Sequence, residues 1–403
     1  MSKFFKKCNR YYRFGEPTIA KNLGIYPYFH RIHGEQNPIV QMDDKDIIML
    51  GSNNYLGMTS HPQVKQAAKD AIDVYGVGST GSRLLNGTMD IHIELEERLA
   101  KFMGTDDCVV FSTGMQANLG AISALLSEKD EWIISDQQNH ASIIDGIRLG
   151  RNNPKNKKIY DHCNMDSLAK CLKDTPKGKA LIVTDGVFSM EGDLAKMNEI
   201  MDLAEDRDAG VYIDDAHAVG VIGPHGKGTA AHFDMVDKVH LTMGTFSKSF
   251  ATVGGFVAAN EQICNWLRHK ARSFIFSASP PPATCATVLA ILDIIEKDDS
   301  YRQKLLAIGD KMRKGLTDIG FDTGNSVTPI IPLVVGETRR TVKFFKKLFE
   351  HKPRGIFTNP VVHPATPKGR ELIRTSYIAT MTDEVTSEAL DIFEVAGKDM
   401  KLI

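Results

Sequence analysis

What this sequence has little of narrows its class before any motif is read. Six cysteines (Cys8, Cys108, Cys163, Cys171, Cys264, Cys285) are scattered through 403 residues with no C-x-x-C pair; that spacing argues against a disulfide framework or a structural zinc site and reads as reduced thiols. No apolar run approaches the roughly 18 residues of a membrane span. The opening residues also lack the apolar core of a signal peptide, so the expected location is the cytoplasm. Charge of one sign is missing too: 49 basic against 50 acidic side chains leave a formal net charge of -1, which gives a nucleic acid no field to follow. There is no G-x-x-x-x-G-K-[ST] loop, no G-x-S-x-G elbow, no internal repeat and no low-complexity tract. Gly76-x-Gly78-x-x-Gly81 matches the dinucleotide fingerprint, but it follows a helical-period run (Val64, Ala67, Ala68, Ile72) where a strand is required, and is set aside.

What is present is an ordinary globular composition, 42% hydrophobic and 25% charged, long enough for a large core and more than one domain. The exception lies at the front. Lys3, Lys6, Lys7, Arg10 and Arg13 interleave with Phe4, Phe5, Tyr11 and Tyr12, and no acid precedes Glu16. Two readings stand for this segment: peripheral contact with an anionic membrane face, or an arm that is flexible or packed on a neighbouring subunit.

From about residue 60 to 260, apolar runs of strand length alternate with segments of helical period, which predicts an α/β fold with a parallel sheet covered by helices. Strands are expected at 108–112, 132–135, 180–184, 211–214, 239–243 and 255–259, and covering helices around Ile91–Phe102 and Met197–Ala204. Beyond Pro280-Pro281-Pro282 the pattern shifts to longer amphipathic helices (284–295, 302–319, 341–349, 384–396) with strands at 330–335 and 371–377. The expected organisation is an N-terminal arm and segment (1–58), a large ligand-binding domain (59–283) and a smaller α+β C-terminal domain (284–403).

Chemistry concentrates just past the predicted strands. Gly244-Thr245-Phe246-Ser247-Lys248-Ser249 places a lysine among small and hydroxylated residues, a setting suited to a reactive amine beside a phosphate, although a lysine in a loop is more often a solvated charge. The strand at 211–214 runs into Asp214-Asp215-Ala216-His217, at the carboxyl end where open α/β sheets bind ligands. Asp214 there suits a protonated pyridine nitrogen and His217 a phenolic oxygen; a helix cap or a metal site would use the same residue types. Residues 111–118 (Phe-Ser-Thr-Gly-Met-Gln-Ala-Asn) read as a strand turning at glycine into a helix whose first amides receive a phosphate. In 136–142 (Asp-Gln-Gln-Asn-His-Ala-Ser), His140 could stack on an aromatic cofactor or be structural.

Taken in order, His140, Ser189, Asp214, His217, Thr245 and Lys248 resemble the α-oxoamine synthases, a family of fold-type I enzymes that use pyridoxal 5'-phosphate. The resemblance extends through residues 52–57 (Ser-Asn-Asn-Tyr-Leu-Gly), 81–88 (Gly-Ser-Arg-Leu-Leu-Asn-Gly-Thr), 185–193 (Asp-Gly-Val-Phe-Ser-Met-Glu-Gly-Asp) and 364–367 (Pro-Ala-Thr-Pro). It implies Lys248 as the Schiff-base lysine, Asp214 as partner of the pyridine nitrogen, and His217 and Ser189 as neighbours of the phenolic oxygen. Thr245 and the amides of Gly114 and Met115 would hold the phosphate, His140 would stack on the ring, and Arg374 would pair with an amino-acid carboxylate. It also implies a homodimer with a shared active site, in which Asn54 and Ser82 serve the partner subunit. The lysine loop and residues 24–29 (Gly-Ile-Tyr-Pro-Tyr-Phe) are similar to the branch that joins L-serine to palmitoyl-CoA. Three positions depart from it: Met115 where an aromatic is common, Asp215 for glutamate, and Met381 for histidine.

Overall fold

The computed structural model describes residues 2–403. Three short N-terminal strands, β1 (Ile32–His33), β2 (Ile39–Met42) and β3 (Lys45–Met49), open the ordered body. A seven-stranded sheet follows: β4 (Asp107–Phe111), β5 (Trp132–Asp136), β6 (Lys157–Tyr160), β7 (Ala180–Asp185), β8 (Gly210–Asp214), β9 (Leu241–Thr245) and β10 (Gly255–Ala259). The last strands are β11 (Ile330–Val334), β12 (Gly355–Phe357), β13 (Asn359–Val361) and β14 (Leu372–Ser376).

The large sheet has the order β4-β10-β9-β8-β7-β5-β6. Only β10 runs antiparallel, pairing with β4 on one side and β9 on the other, while β9-β8-β7-β5-β6 are parallel throughout. Val211, Tyr212 and Ile213 of β8 are all fully buried, as expected of a strand covered by helices on both faces. One face packs on the helix Gly114–Leu125 through Ala117, Ala121 and Ile122. The other packs on Met165–Lys173 and Met197–Arg207 through Leu168, Leu172, Ile200 and Ala204. The two small sheets are β1-β2-β3-β12 and the antiparallel β11-β14-β13. Since β12 pairs with β3 in parallel, the N-terminal segment and the C-terminal part share one sheet. The helix Pro282–Lys297 sends Cys285, Val288, Ile291 and Leu292 into the same core as Val64, Leu95 and Leu99. Packing therefore runs without a break across the point where the sequence changes character.

Within the large sheet, sequence and structure differ at β6 and β9, and the short strands β1 to β3, β12 and β13 were not expected either. The β6 strand was not expected, because Lys157, Lys158 and an exposed Ile159 give it the polar character of a sheet edge. The strand expected at 239–243 lies two residues later, because Thr245 and Gly244 still pair with Gly255 and Phe256. In the arm, the helices Lys6–Phe14 and Glu16–Asn22 have no buried residue, and Phe4, Tyr12 and Phe14 are each more than two-thirds exposed. Among the described residues no helix is long and apolar enough to cross a membrane.

Candidate active site

The parallel strands deliver their carboxyl ends to one cavity of about 560 Å³, the place where a doubly covered sheet leaves side chains free of the core. Asp214 ends β8, Asp185 ends β7 and Thr245 ends β9, and all three line it. Of the residues expected from sequence, Gly114, Met115, His140, Ser189, Asp214, His217, Thr245, Lys248 and Arg374 all line this cavity. Asn54 and Ser82 do not. The Asn54 amide is spent on the Gln36 carbonyl (3.0 Å) and Thr59 Oγ1 (2.8 Å), and Ser82 forms an isolated bridge with Ala278.

Lys248 lies in a loop anchored from both sides. Phe246 and Phe250 are fully buried, Phe246 stacks on Phe256, and the Phe246 amide bonds back to the Gly254 carbonyl at 2.9 Å. A side chain at Gly254 (φ 151°) would collide with the Phe246 ring at 2.3 Å, so glycine is required there. Burial lowers the Lys248 amine to about 8; Asp214 and Asp185 pull the other way and Arg374 reinforces the drop.

Asp214 is fixed by donors: Asn118 Nδ2 reaches Oδ2 at 2.6 Å and the Ala216 amide reaches Oδ1 at 3.0 Å. Asn118 is in turn fixed by the Tyr212 hydroxyl on its Oδ1 (2.7 Å) and donates to Ser142 Oγ (2.8 Å). Ser142 Oγ lies 2.7 Å from His140 Nδ1, and the Ser142 amide donates to the same nitrogen at 3.3 Å. Nδ1 is thereby an acceptor and the proton of neutral His140 sits on Nε2. Desolvation, with the Lys248 charge, lowers His140 despite the attraction of Asp214. Asp185, which accepts the His140 amide, is raised by burial and by Asp214.

His217 is buried, and its Nδ1 lies 2.7 Å from the Tyr55 hydroxyl. Burial first, then the Lys248 and Arg374 charges, lower it well below the ordinary histidine value. The Tyr55 hydroxyl accepts from Arg374 Nη2 at 3.3 Å and faces two acceptors, Asn53 Oδ1 at 3.4 Å and the closer His217 Nδ1; with its proton on the closer contact, Nε2–H of His217 is left as a donor. Arg374, on β14, is almost fully buried. Its Nε donates to the Ser189 carbonyl at 2.5 Å and Nη2 to Asn53 Oδ1 at 3.0 Å, which leaves Nη1 without a partner among the described residues.

The helix Gly114–Leu125 is capped by Thr113, whose hydroxyl accepts from the Gln116 amide at 3.0 Å. Its amides at Gly114 and Met115 keep no intrahelical acceptor and carry the positive end of the helix dipole. Thr245 Oγ1 and Ser247 Oγ, 3.0 Å apart, stand beside them. A Cβ at Gly114 would lie 2.7 Å from Thr245 Oγ1, so glycine keeps this corner open. The donor set fits a phosphorylated pyridine aldehyde: free amides for a phosphate beside the Thr245 and Ser247 hydroxyls, which here bond the Gly254 carbonyl and each other, a carboxylate for a ring nitrogen, a histidine for a ring oxygen, and an amine for the aldehyde.

The aminotransferase class I and II profile matches residues 45–393. The chain belongs to this family. Within it, a serine palmitoyltransferase of Bacteriovorax stolpii is 46% identical over 94% of this chain and 90% of its own. An 8-amino-7-oxononanoate synthase of Thermoanaerobacter pseudethanolicus is 41% identical over 95% of this chain and 96% of its own. Among solved structures, a serine palmitoyltransferase from S. paucimobilis with bound PLP–myriocin superposes with a TM-score of 0.94 at 33% identity, covering 100% of both chains. The chain is accordingly a pyridoxal 5'-phosphate-dependent acyltransferase of the α-oxoamine synthase type, with the fold expected of that group.

The sequence reading missed Asn53, Tyr55, Asn118 and Asp185. Asn118 carried a signal: an amide in an otherwise apolar helix, with no exposure, requires internal partners.

Proposed function

We propose that this enzyme condenses L-serine with palmitoyl-CoA, releasing carbon dioxide and coenzyme A and giving 3-ketodihydrosphingosine. The observation that carries the reading is a single cavity holding both an amine lowered to about 8 at Lys248 and a buried guanidinium at Arg374 with one free nitrogen. The serine branch is supported by the Gly-Thr-Phe-Ser-Lys-Ser loop and by a likeness to a serine palmitoyltransferase that spans the whole chain, arm included.

Lys248 is the covalent attachment point and, once free, the base that takes the Cα proton, since burial brings its amine down to about 8. Pyridoxal 5'-phosphate supplies the electron sink when bound. Asp214, which accepts from Asn118 and the Ala216 amide, would pair with the protonated ring nitrogen. His217 would donate to the ring oxygen, with Ser189 beside it. Arg374 Nη1, aided by His140, takes the amino-acid carboxylate and thereby orients the bond to be broken.

We also place a second copy of the chain across the pocket mouth, where Asn54 and Ser82 would serve the partner. Val77, Leu84, Leu85 and Phe276 are exposed around the Ser82–Ala278 bridge, an apolar rim suited to burial in a homodimer.

Coenzyme A release from purified holoenzyme, with serine, alanine and glycine each set against acetyl-, pimeloyl- and palmitoyl-CoA, tests the reading. Serine with palmitoyl-CoA is expected to give the highest kcat/KM. Alanine with pimeloyl-CoA prevailing would move the chain to the oxononanoate branch, to which relatives of 41% identity belong.

A further inference from the structure

The loop from Gly186 to Asp193 carries Ser189, whose carbonyl holds Arg374 Nε; whatever sets this loop sets the arginine. On one side the segment leading into β11 holds it, since Thr328 Oγ1 (2.9 Å) and the Val327 amide (3.1 Å) both donate to the Gly192 carbonyl. On the other side the tie is a side chain outside the cavity, His162. Its Nε2 lies 3.0 Å from Asp193 Oδ2 and its Nδ1 3.0 Å from Asp136 Oδ1. The ring also packs edge-on against Phe188 of the same loop, with centroids 4.3 Å apart. Asp136 ends β5 and is itself fixed by the amides of Gln138 and Cys163, at the start of the turn that leads to His140.

Two ionised carboxylates can only accept, so contact at both ring nitrogens requires a ring that carries both protons. Burial alone would neutralise it, but the hydrogen bonds to Asp136 and Asp193 override burial and push the ring up to about 12. Asp136, His162 and Cys163 bring metal-ligand atoms within 4.8 Å of one another. A doubly protonated imidazole, however, has no lone pair to give a cation.

We propose that His162 is a positioning residue for the amino-acid end of the reaction, a cationic clamp that holds the 186–193 loop against β5 and so sets the Ser189 carbonyl and the Arg374 guanidinium. The proposal rests on Arg374 as the carboxylate partner. Thr245, Asp214 and Lys248 stand on β9, β8 and the loop after β9, none of which the clamp touches. Ser189 and, through the turn after Asp136, His140 also ride on the clamped region, so loss of the clamp weakens amino-acid binding most and cofactor binding much less.

The test uses His162→Gln, Asp193→Asn and the double variant as holoenzymes. The amino-acid Kd is read for L-serine and L-alanine from the change in cofactor absorbance, alongside KM for both substrates, kcat and Tm. Each single change is expected to raise the amino-acid Kd and KM about tenfold while cofactor affinity stays within about twofold, and the double variant should be no worse than the singles. An unchanged amino-acid Kd in the folded variants, whatever happens to Tm, overturns the clamp; if His162→Gln fails to fold, Asp193→Asn decides alone. An Arg374→Ala control separates the failures. If that control raises the Kd and the clamp variants do not, only the clamp falls; if it leaves the Kd unchanged, the arginine reading falls and takes the clamp with it.

Discussion

Lys248 sits where its charge is poorly tolerated. Burial lowers the amine from 10.5 to about 8, and the attraction of Asp214 only partly restores it. The sign follows: the neutral amine becomes the major form above about pH 8 in the folded protein, more than two units before an exposed lysine. Amine-directed labelling of the apoprotein should therefore modify Lys248 with a midpoint near pH 8, read by peptide mass spectrometry; a midpoint near 10 would contradict the burial argument. Arg374→Ala should raise the amino-acid KM on the order of a hundredfold, as expected for truncating one partner of a buried charge pair. Cofactor absorbance should be nearly unchanged, and an unaltered KM would assign the carboxylate to another group. Lys248, Asp214 and His217 were legible because their motifs are local and sit at strand ends. Asn118 and Tyr55 were not, since their bonds reach Asp214 and His217 across 96 and 162 positions, and no local pattern encodes a partner that distant.

At the scale of elements, the helix Gly114–Leu125 joins the phosphate corner to the Asp214 support, because its first residues offer amides and Asn118 lies one turn further on. Gly114→Ala would place a methyl 2.7 Å from Thr245 Oγ1 and 3.1 Å from Met243 Cε. We expect cofactor affinity to fall about tenfold or more with the fold retained, because the clash lies at the cavity wall. Equilibrium dialysis of the apoprotein against pyridoxal 5'-phosphate checks this, and unaltered affinity would mean that the phosphate sits elsewhere. Six of the seven large-sheet strands were legible from apolar runs. The seventh, β6, and the short strands β1 to β3, β12 and β13 were not, since edge position and a length of two to five residues leave too little hydrophobic pattern to read.

For the whole molecule, near-zero net charge leaves recognition to local groups, and the cavity supplies them: two cationic side chains, two carboxylates and two histidines around one space. Composition placed the chain among globular proteins and the alternation of apolar runs with helical segments made it α/β, and among the described residues no helix is long and apolar enough to cross a membrane. The account stands on one covalent attachment. Borohydride reduction of the purified holoprotein, followed by proteolysis and mass spectrometry, should find the pyridoxyl group on the peptide that contains Lys248 and on no other. A label on a different lysine, or none in protein that has bound the cofactor, would contradict it.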